Sequence, residues 1–382
     1  MLGAGVFVIF GPAALFAGSA LPFAILLAAL VAYLNAGSVA QLAKVVNRSG
    51  GGYAYARAYI SKNFSFLAGS SFLVGKIGSS AAIALTVASY LTPNNLLATA
   101  IGSVVVMTAI NLAGINRTAF GSKVLATITV LFLVTLAVAA ISLPAAASEL
   151  KGGAPIGVLS AAALFFFAFA GYARVATLGG EVRQSERNVP RAIWISLAAV
   201  LAIYLTLSVL LSDKLGADLT GTVTPLADLA AKTWLGGEFI WIFASLAGLG
   251  SLLALLAGMS RTAAEMAIDR ELPAAFARRL PNGAPVLAEL VIAGFSIALV
   301  AFGGVLLSLG ISSFAVLLYY AITNFAAFRQ PTTETNRPKI LNLLGLALCL
   351  LLALSVPIDG LFVGASILTL LMLIRWGLRA LR

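Results

Sequence analysis

Residues 164–191 read LFFFAFAGYARVATLGGEVRQSERNVPR. The stretch begins as a helix suited only to lipid, is interrupted at Ala170 and Gly171 where the apolar run is deepest, resumes as YARVATL, and ends in a polar loop closed by Pro190. Non-helical backbone at mid-membrane depth is tolerated only where protein or a water-filled cavity covers the freed N–H and C=O groups. In secondary transporters such a broken helix forms the substrate site, because its half-helix ends present unpaired backbone groups and dipole poles. The competing reading is that Gly171 only lets a neighbouring helix approach closely.

A second stretch tips the balance. The chain opens MLGAGVFVIFGP, where Gly3, Ala4 and Gly5 lead directly into the apolar run Val6 to Phe10. Two glycine-interrupted apolar segments, 166 residues apart and each beside an aromatic cluster, point to the site of an inverted-repeat transporter.

Composition sets the class. Of 382 residues 61% are hydrophobic and 10% charged, with a mean hydropathy of +1.05, whereas a soluble domain is about a quarter charged. Spans long enough for a hydrocarbon core of roughly 30 Å recur from end to end, so the chain reads as one polytopic all-α membrane domain. The net charge of +11 does not indicate nucleic acid, because the basic residues lie in small groups between apolar spans. Cys349 is the single cysteine and there is no histidine, which excludes disulfides, histidine-based zinc sites and histidine-dependent triads. No cofactor is expected.

Twelve spans are predicted: 1–18, 21–46, 65–91, 95–113, 122–143, 156–178, 191–211, 237–259, 286–303, 306–328, 340–356 and 358–376, with a short surface helix at 225–231 and an amphipathic interfacial stretch from Ser260 to Pro285. They group as a first five-helix repeat (1–143), a second (156–328) and two accessory helices (340–376), a 5+5 inverted-repeat core. If Gly3 to Gly5 is the mid-membrane break, about ten apolar residues should precede it. The first helix therefore reads as truncated, with the expectation of an upstream start or of poor transport by this form.

Charge placement orients the chain. The links on one side hold 19 lysines and arginines, from Lys44 and Arg48 to Arg379 and Arg382, while those on the other hold only Lys151, Lys214 and Lys232. The positive-inside rule then puts both termini in the cytoplasm of a multi-pass cell-membrane protein.

These residues resemble the amino acid, polyamine and organocation (APC) superfamily of permeases over nearly the whole chain. GAGVF at 3–7 is similar to the broken first helix of that family. Phe167, Ala168, Phe169, Ala170, Gly171 and Tyr172 are similar to its sixth, with Ala173 where a glutamate is usual. Further matches are GGEVRQSERNVPRAI, which keeps Glu181, Arg187 and the Pro190 to Ile193 end, the glycine run into Tyr53, Tyr55 and Arg57, and Ser260, Arg261, Asp269, Leu272 and Pro273 after the eighth span. The resemblance implies alternating-access transport of a small amino acid or amine, coupled to H+ or Na+, on the fold of the sodium-coupled neurotransmitter symporters. A zwitterion's carboxylate is expected on the N–H groups at Gly3, Ala4 and Gly5, and its ammonium on carbonyls around Phe167, Ala168 and Phe169. Phe169 or Tyr172 would cover it as a gate.

Two residues are candidates for coupling. The position of a family lysine in the fifth helix falls at Thr129, where a hydroxyl can ligate sodium or bond water. Lys76 lies about twelve residues into the third span, where a charge is expensive unless it faces protein or water. It shares a stripe with Phe72 and Ser80, with Ser79 adjacent, so both serines are expected to accept from its ammonium. The alternative to a transporter is a non-transporting membrane receptor or partner subunit with the same fold. An enzyme is disfavoured because the spans hold no paired carboxylates.

Overall fold

The computed structural model describes residues 3–46, 48, 50–114, 119–172 and 185–380. They form helices α1 (Gly5–Val8), α2 (Phe10–Ala17), α3 (Leu21–Ala43), α4 (Gly52–Tyr59), α5 (Lys62–Leu91), α6 (Leu96–Leu112), α7 (Ala119–Ile141) and α8 (Pro155–Phe169). After these come α9 (Ser185–Leu215), α10 (Pro225–Ala231), α11 (Ile240–Ile268), α12 (Val286–Arg329), α13 (Lys339–Leu354) and α14 (Ile358–Ala380). No strand occurs among the described residues, only an isolated bridge between Gly18 and Gly152.

Every predicted span is helical over most of its length, and seven of these helices are each long and apolar enough to cross a membrane. Outward-facing apolar side chains agree with a lipid environment: Phe302 is 90% exposed and Phe23 68%, which water would penalise. The ninth and tenth spans run as one element, α12, broken only at Gly304 (φ 67°, ψ 177°). That backbone is open to glycine and strained for other residues.

Two boundaries differ from the sequence expectation. α9 starts at Ser185 rather than after Pro190; a proline in the second turn costs one ladder bond but does not stop a helix with Ser and Glu at its start. α11 continues through Ser260 to Ile268 instead of giving way to an interfacial stretch. Small residues explain this, since Thr262, Ala263, Ala264 and Ala267 are buried and let the helix keep packing. The sixth span is helical to Phe169 and then turns as a 3-10 segment at Ala170–Tyr172. The expected resumption after Tyr172 and the polar loop with Glu181 lie outside the described residues.

Two apolar cores result. The larger joins residues of α1 and α2, α3, α8, α9 and the second half of α12 (Leu309 to Ala327). The second joins Ala81 to Ala88 of α5 with α6, α11 and the first half of α12 (Ala288 to Val300). α5 also runs at backbone contact along the second half of α12. A Cβ on Gly78 would lie 2.8 Å from both Ser308 O and Ser312 N, and the Ser79 and Ser312 hydroxyls share a 2.7 Å hydrogen bond.

Candidate functional site

The start of α1 touches the end of α8. A Cβ on Gly5 would sit 3.0 Å from both Cα and Cβ of Ala168 and 3.4 Å from Phe167 Cε1, so the absence of a side chain lets the two backbones meet. α1 has no side-chain cap at Ala4, which leaves its first donors without side-chain acceptors. The α8 ladder closes at Ala170, whose N–H is shared between the carbonyls of Phe166 and Phe167. The positive end of one helix therefore lies against the negative end of another. A zwitterion carries the complementary pair of charges.

Burial differs along this junction. Ala4, Ala168 and Phe169 are buried and Phe167 is partly so, whereas Gly3 is half-buried and Gly171 exposed. Ala4 packs in the second core and Val6 and Phe7 in the first, so the contact lies on the seam between them. Tyr172 ends the 3-10 turn. Phe169 faces an aromatic cluster, edge-on to Tyr204 at 5.1 Å, while Phe10 lies 5.3 Å from Phe165. Tyr204 Oη donates to Ala168 O at 3.2 Å, and Tyr90 Oη donates to Phe7 O at 2.7 Å.

Beyond the aromatics this end is closed twice more. Gly11 is pressed against the carbonyls of Thr222 and Leu219. Ser19 N donates to Lys151 O at 3.0 Å and Gly153 N to Ala17 O at 3.1 Å. Among the described residues, Gly3 and Gly171 lie at the other end of the junction and are less buried than Ala4 and Ala168.

Sequence reasoning missed Tyr90, Tyr204 and Ser251. The last approaches Gly3, where a Cβ would come within 2.7 Å of Ser251 Oγ. A tyrosine within the aliphatic run around Tyr204 and a serine in GLGSLL were the available signals, each common in membrane helices that do nothing more than pack.

Lys76 is half-buried on α5, with no hydrogen-bond or ionic partner among the described residues. The expected serine contacts are not made. Ser79 is turned to Gly75 O and Ser312 Oγ, and the buried Ser80 Oγ has no partner among the described residues. Phe72 of the same stripe packs on Tyr319 at 5.4 Å. Thr129 is buried on α7, which packs against α11.

A charged cluster lies beyond the end of α11, where α4, α5 and α14 converge. Asp269 accepts from Arg48 Nη2 at 2.6 Å and from Tyr53 Oη at 2.8 Å, with Arg57 at 3.6 Å. Burial works against its charged form most strongly, but the bonds from Arg48 and Tyr53 and the charges of Arg48 and Arg57 outweigh it and hold the carboxyl below the usual range. Glu271 accepts from Arg375 Nε at 2.7 Å and Arg379 Nη2 at 2.8 Å, and Arg57 stands 3.6 Å away.

The amino acid permease family model matches residues 1–377. The chain belongs to the amino acid permease family. The permease is thus a transporter and not an enzyme, a multi-pass membrane protein of the APC type. It is 41% identical over 377 residues to an uncharacterized transporter of Mycobacterium tuberculosis, covering 96% of this chain and 86% of that one. It is 26% identical over 371 residues to a chloroplastic cationic amino acid transporter 7 of Arabidopsis thaliana (87% and 63% covered). A branched-chain amino acid permease of Bacillus subtilis is 26% identical over 315 residues (74% and 67% covered).

Proposed function

We propose that the permease moves an amino acid or related small amine across the cell membrane by alternating access, coupled to H+ or Na+, with both termini in the cytoplasm. The observation that carries this reading is the contact of Gly5 with Ala168, where the start of one helix meets the end of another beneath the Phe169–Tyr204 aromatic pair. The carboxylate is assigned to Gly3, Ala4 and Gly5, the ammonium to Phe167, Ala168 and Phe169, and the flank to Gly171 and Tyr172. Phe169, backed by Tyr204, forms the roof.

Packing also supports two inverted repeats, 1–143 and 156–328, followed by the accessory pair 340–376. α2 packs on α8, α3 on α9 and α5 on α11, which are the first, second and third spans against the sixth, seventh and eighth. Contacts between corresponding helices are compatible with a pseudo-two-fold relation between the two halves. The relatives named for cationic and for branched-chain amino acids support amino acids as the class and leave the side chain to measurement.

The deciding experiment is uptake of radiolabelled amino acids into proteoliposomes, with sodium and pH gradients imposed separately. Uptake of none, under either gradient, would favour the receptor reading. Orientation is tested by an impermeant thiol reagent on intact cells: cysteines replacing Lys151 and Lys232 should be labelled and one replacing Arg278 should not. Labelling of the last would invert the topology drawn from the 19 to 3 charge split.

Lys76 is assigned to coupling, with Thr129 as the alternative sodium ligand. A lysine inside a span, with no counter-ion among the described residues, is costly unless it serves a purpose. Lys76→Met should abolish pH-dependent uptake. A variant with unchanged rate, affinity and pH profile would make Lys76 structural and move attention to Thr129.

A further inference from the structure

Between α3, the start of α9 and the link from α12 to α13, the surface opens into a groove of about 390 Å3. Tyr33 and Trp194 meet with ring centroids 4.6 Å apart and planes tilted by 36°, and Gly37 and Lys44 also line it. Arg337 enters from the link. Its guanidinium does not extend into water but folds onto α3, Nη2 donating to Leu34 O at 2.9 Å and Nη1 to Ser38 Oγ at 3.3 Å. Gly37 makes room for it, since a Cβ there would collide with the guanidinium carbon and both terminal nitrogens.

Both of those acceptors are neutral. Among the described residues no carboxylate pairs with Arg337 or Lys44. Glu334, the carboxylate that lines the groove, is turned aside to accept from Tyr59 Oη at 2.6 Å and Gln330 Nε2 at 3.2 Å. A guanidinium has five donors in a fixed fork, of which the bonds to Leu34 O and Ser38 Oγ use two, and a partly buried cation with no counter-ion among the described residues is expensive. The groove also continues an apolar stripe of α3: Leu26, Leu30 and Tyr33 are all exposed, as lipid-facing residues are. An anion that reaches it can therefore carry acyl chains.

We propose that this groove binds the phosphate of an anionic phospholipid, with Arg337 and Lys44 on the phosphate and the Tyr33–Trp194 pair against the glycerol and upper acyl region. Arginine recognises phosphate oxygens through paired N–H bonds, tyrosine and tryptophan settle at headgroup depth, and basic pockets between membrane helices take lipid head groups. The leaflet is cytoplasmic on the orientation proposed above. Binding itself does not depend on that orientation or on transport, so the two readings fail separately.

The test uses the full chain in detergent, with native mass spectrometry and thermal unfolding in the presence of phosphatidylglycerol, phosphatidylcholine or sodium phosphate. Phosphatidylglycerol should be retained in preference to phosphatidylcholine and should raise the unfolding midpoint by a few degrees. Arg337→Gln should weaken its retention about tenfold and remove the shift, and Lys44→Gln should do so in part. Unchanged lipid selectivity in Arg337→Gln would overturn the proposal. Equal protection by sodium phosphate, with displacement of the lipid, would assign the site to a free anion and overturn the lipid source. Should Arg337→Gln fail to fold, the double variant Lys44→Gln with Trp194→Leu, both on the groove's open side, decides by the same criterion.

Discussion

Gly5→Val is expected to abolish amino acid uptake while the protein still inserts and purifies. The valine Cβ would begin 3.0 Å from the Ala168 Cα, a distance that backbone cannot relieve by a rotamer change, and its two methyls add to the overlap. Overpacking of this kind costs about 1–3 kcal/mol, which the end of a short helix meets by moving. The first donors of α1 would then leave the position at which they face the carbonyl end of α8. Initial uptake in proteoliposomes, normalised to inserted protein, should fall to background, with Gly5→Ala intermediate. Normal uptake by Gly5→Val would remove the junction as the substrate site.

The second large effect is on stability. Glu271 is 2% exposed and Arg375 8%, and Arg375 also donates to Asn63 Oδ1 and Lys62 O. Removing one member of a buried ion pair leaves the other uncompensated and costs on the order of 3–5 kcal/mol, whereas replacing both with apolar groups is close to neutral. Glu271→Ala should therefore lower the thermal unfolding midpoint strongly, and Glu271→Leu with Arg375→Met should recover most of the loss. Arg379 is 42% exposed and can turn to water in either case. If the double variant is no more stable than Glu271→Ala, the pair is not the source of the effect.

Much of this architecture is legible in the sequence because a lipid-spanning helix must satisfy its backbone internally and needs a fixed length of apolar residues. The end of the α-helix at Phe169, just before Ala170 and Gly171, was legible for the same reason, since glycine at mid-depth has few uses. Tyr204 and Tyr90 were not legible. Their roles depend on which carbonyl on another helix each hydroxyl meets, Ala168 in one case and Phe7 in the other, and a periodicity argument does not contain that pairing. The Lys76 stripe shows the same limit: spacing put Ser79 within reach, and a closer hydroxyl on α12, Ser312, took it. The extension of α11 past Ser260 was hidden because charged residues in a helix read as its end, although small neighbours keep it packed.

Gly304 gains meaning from the two cores it separates. The residues of α12 before it pack in the core that holds Ala4, and those after it pack in the core that holds Val6 and Phe7. No atom would stand within 4 Å of a Cβ at Gly304, so the break is not a wedge for a neighbour; it is the point at which one stretch of chain passes from one apolar core to the other. The Ala4–Gly5 junction straddles the same parting line. A solute held at that junction would therefore lean on both cores at once, on Ala4 in one and on Phe7 and Ala168 in the other.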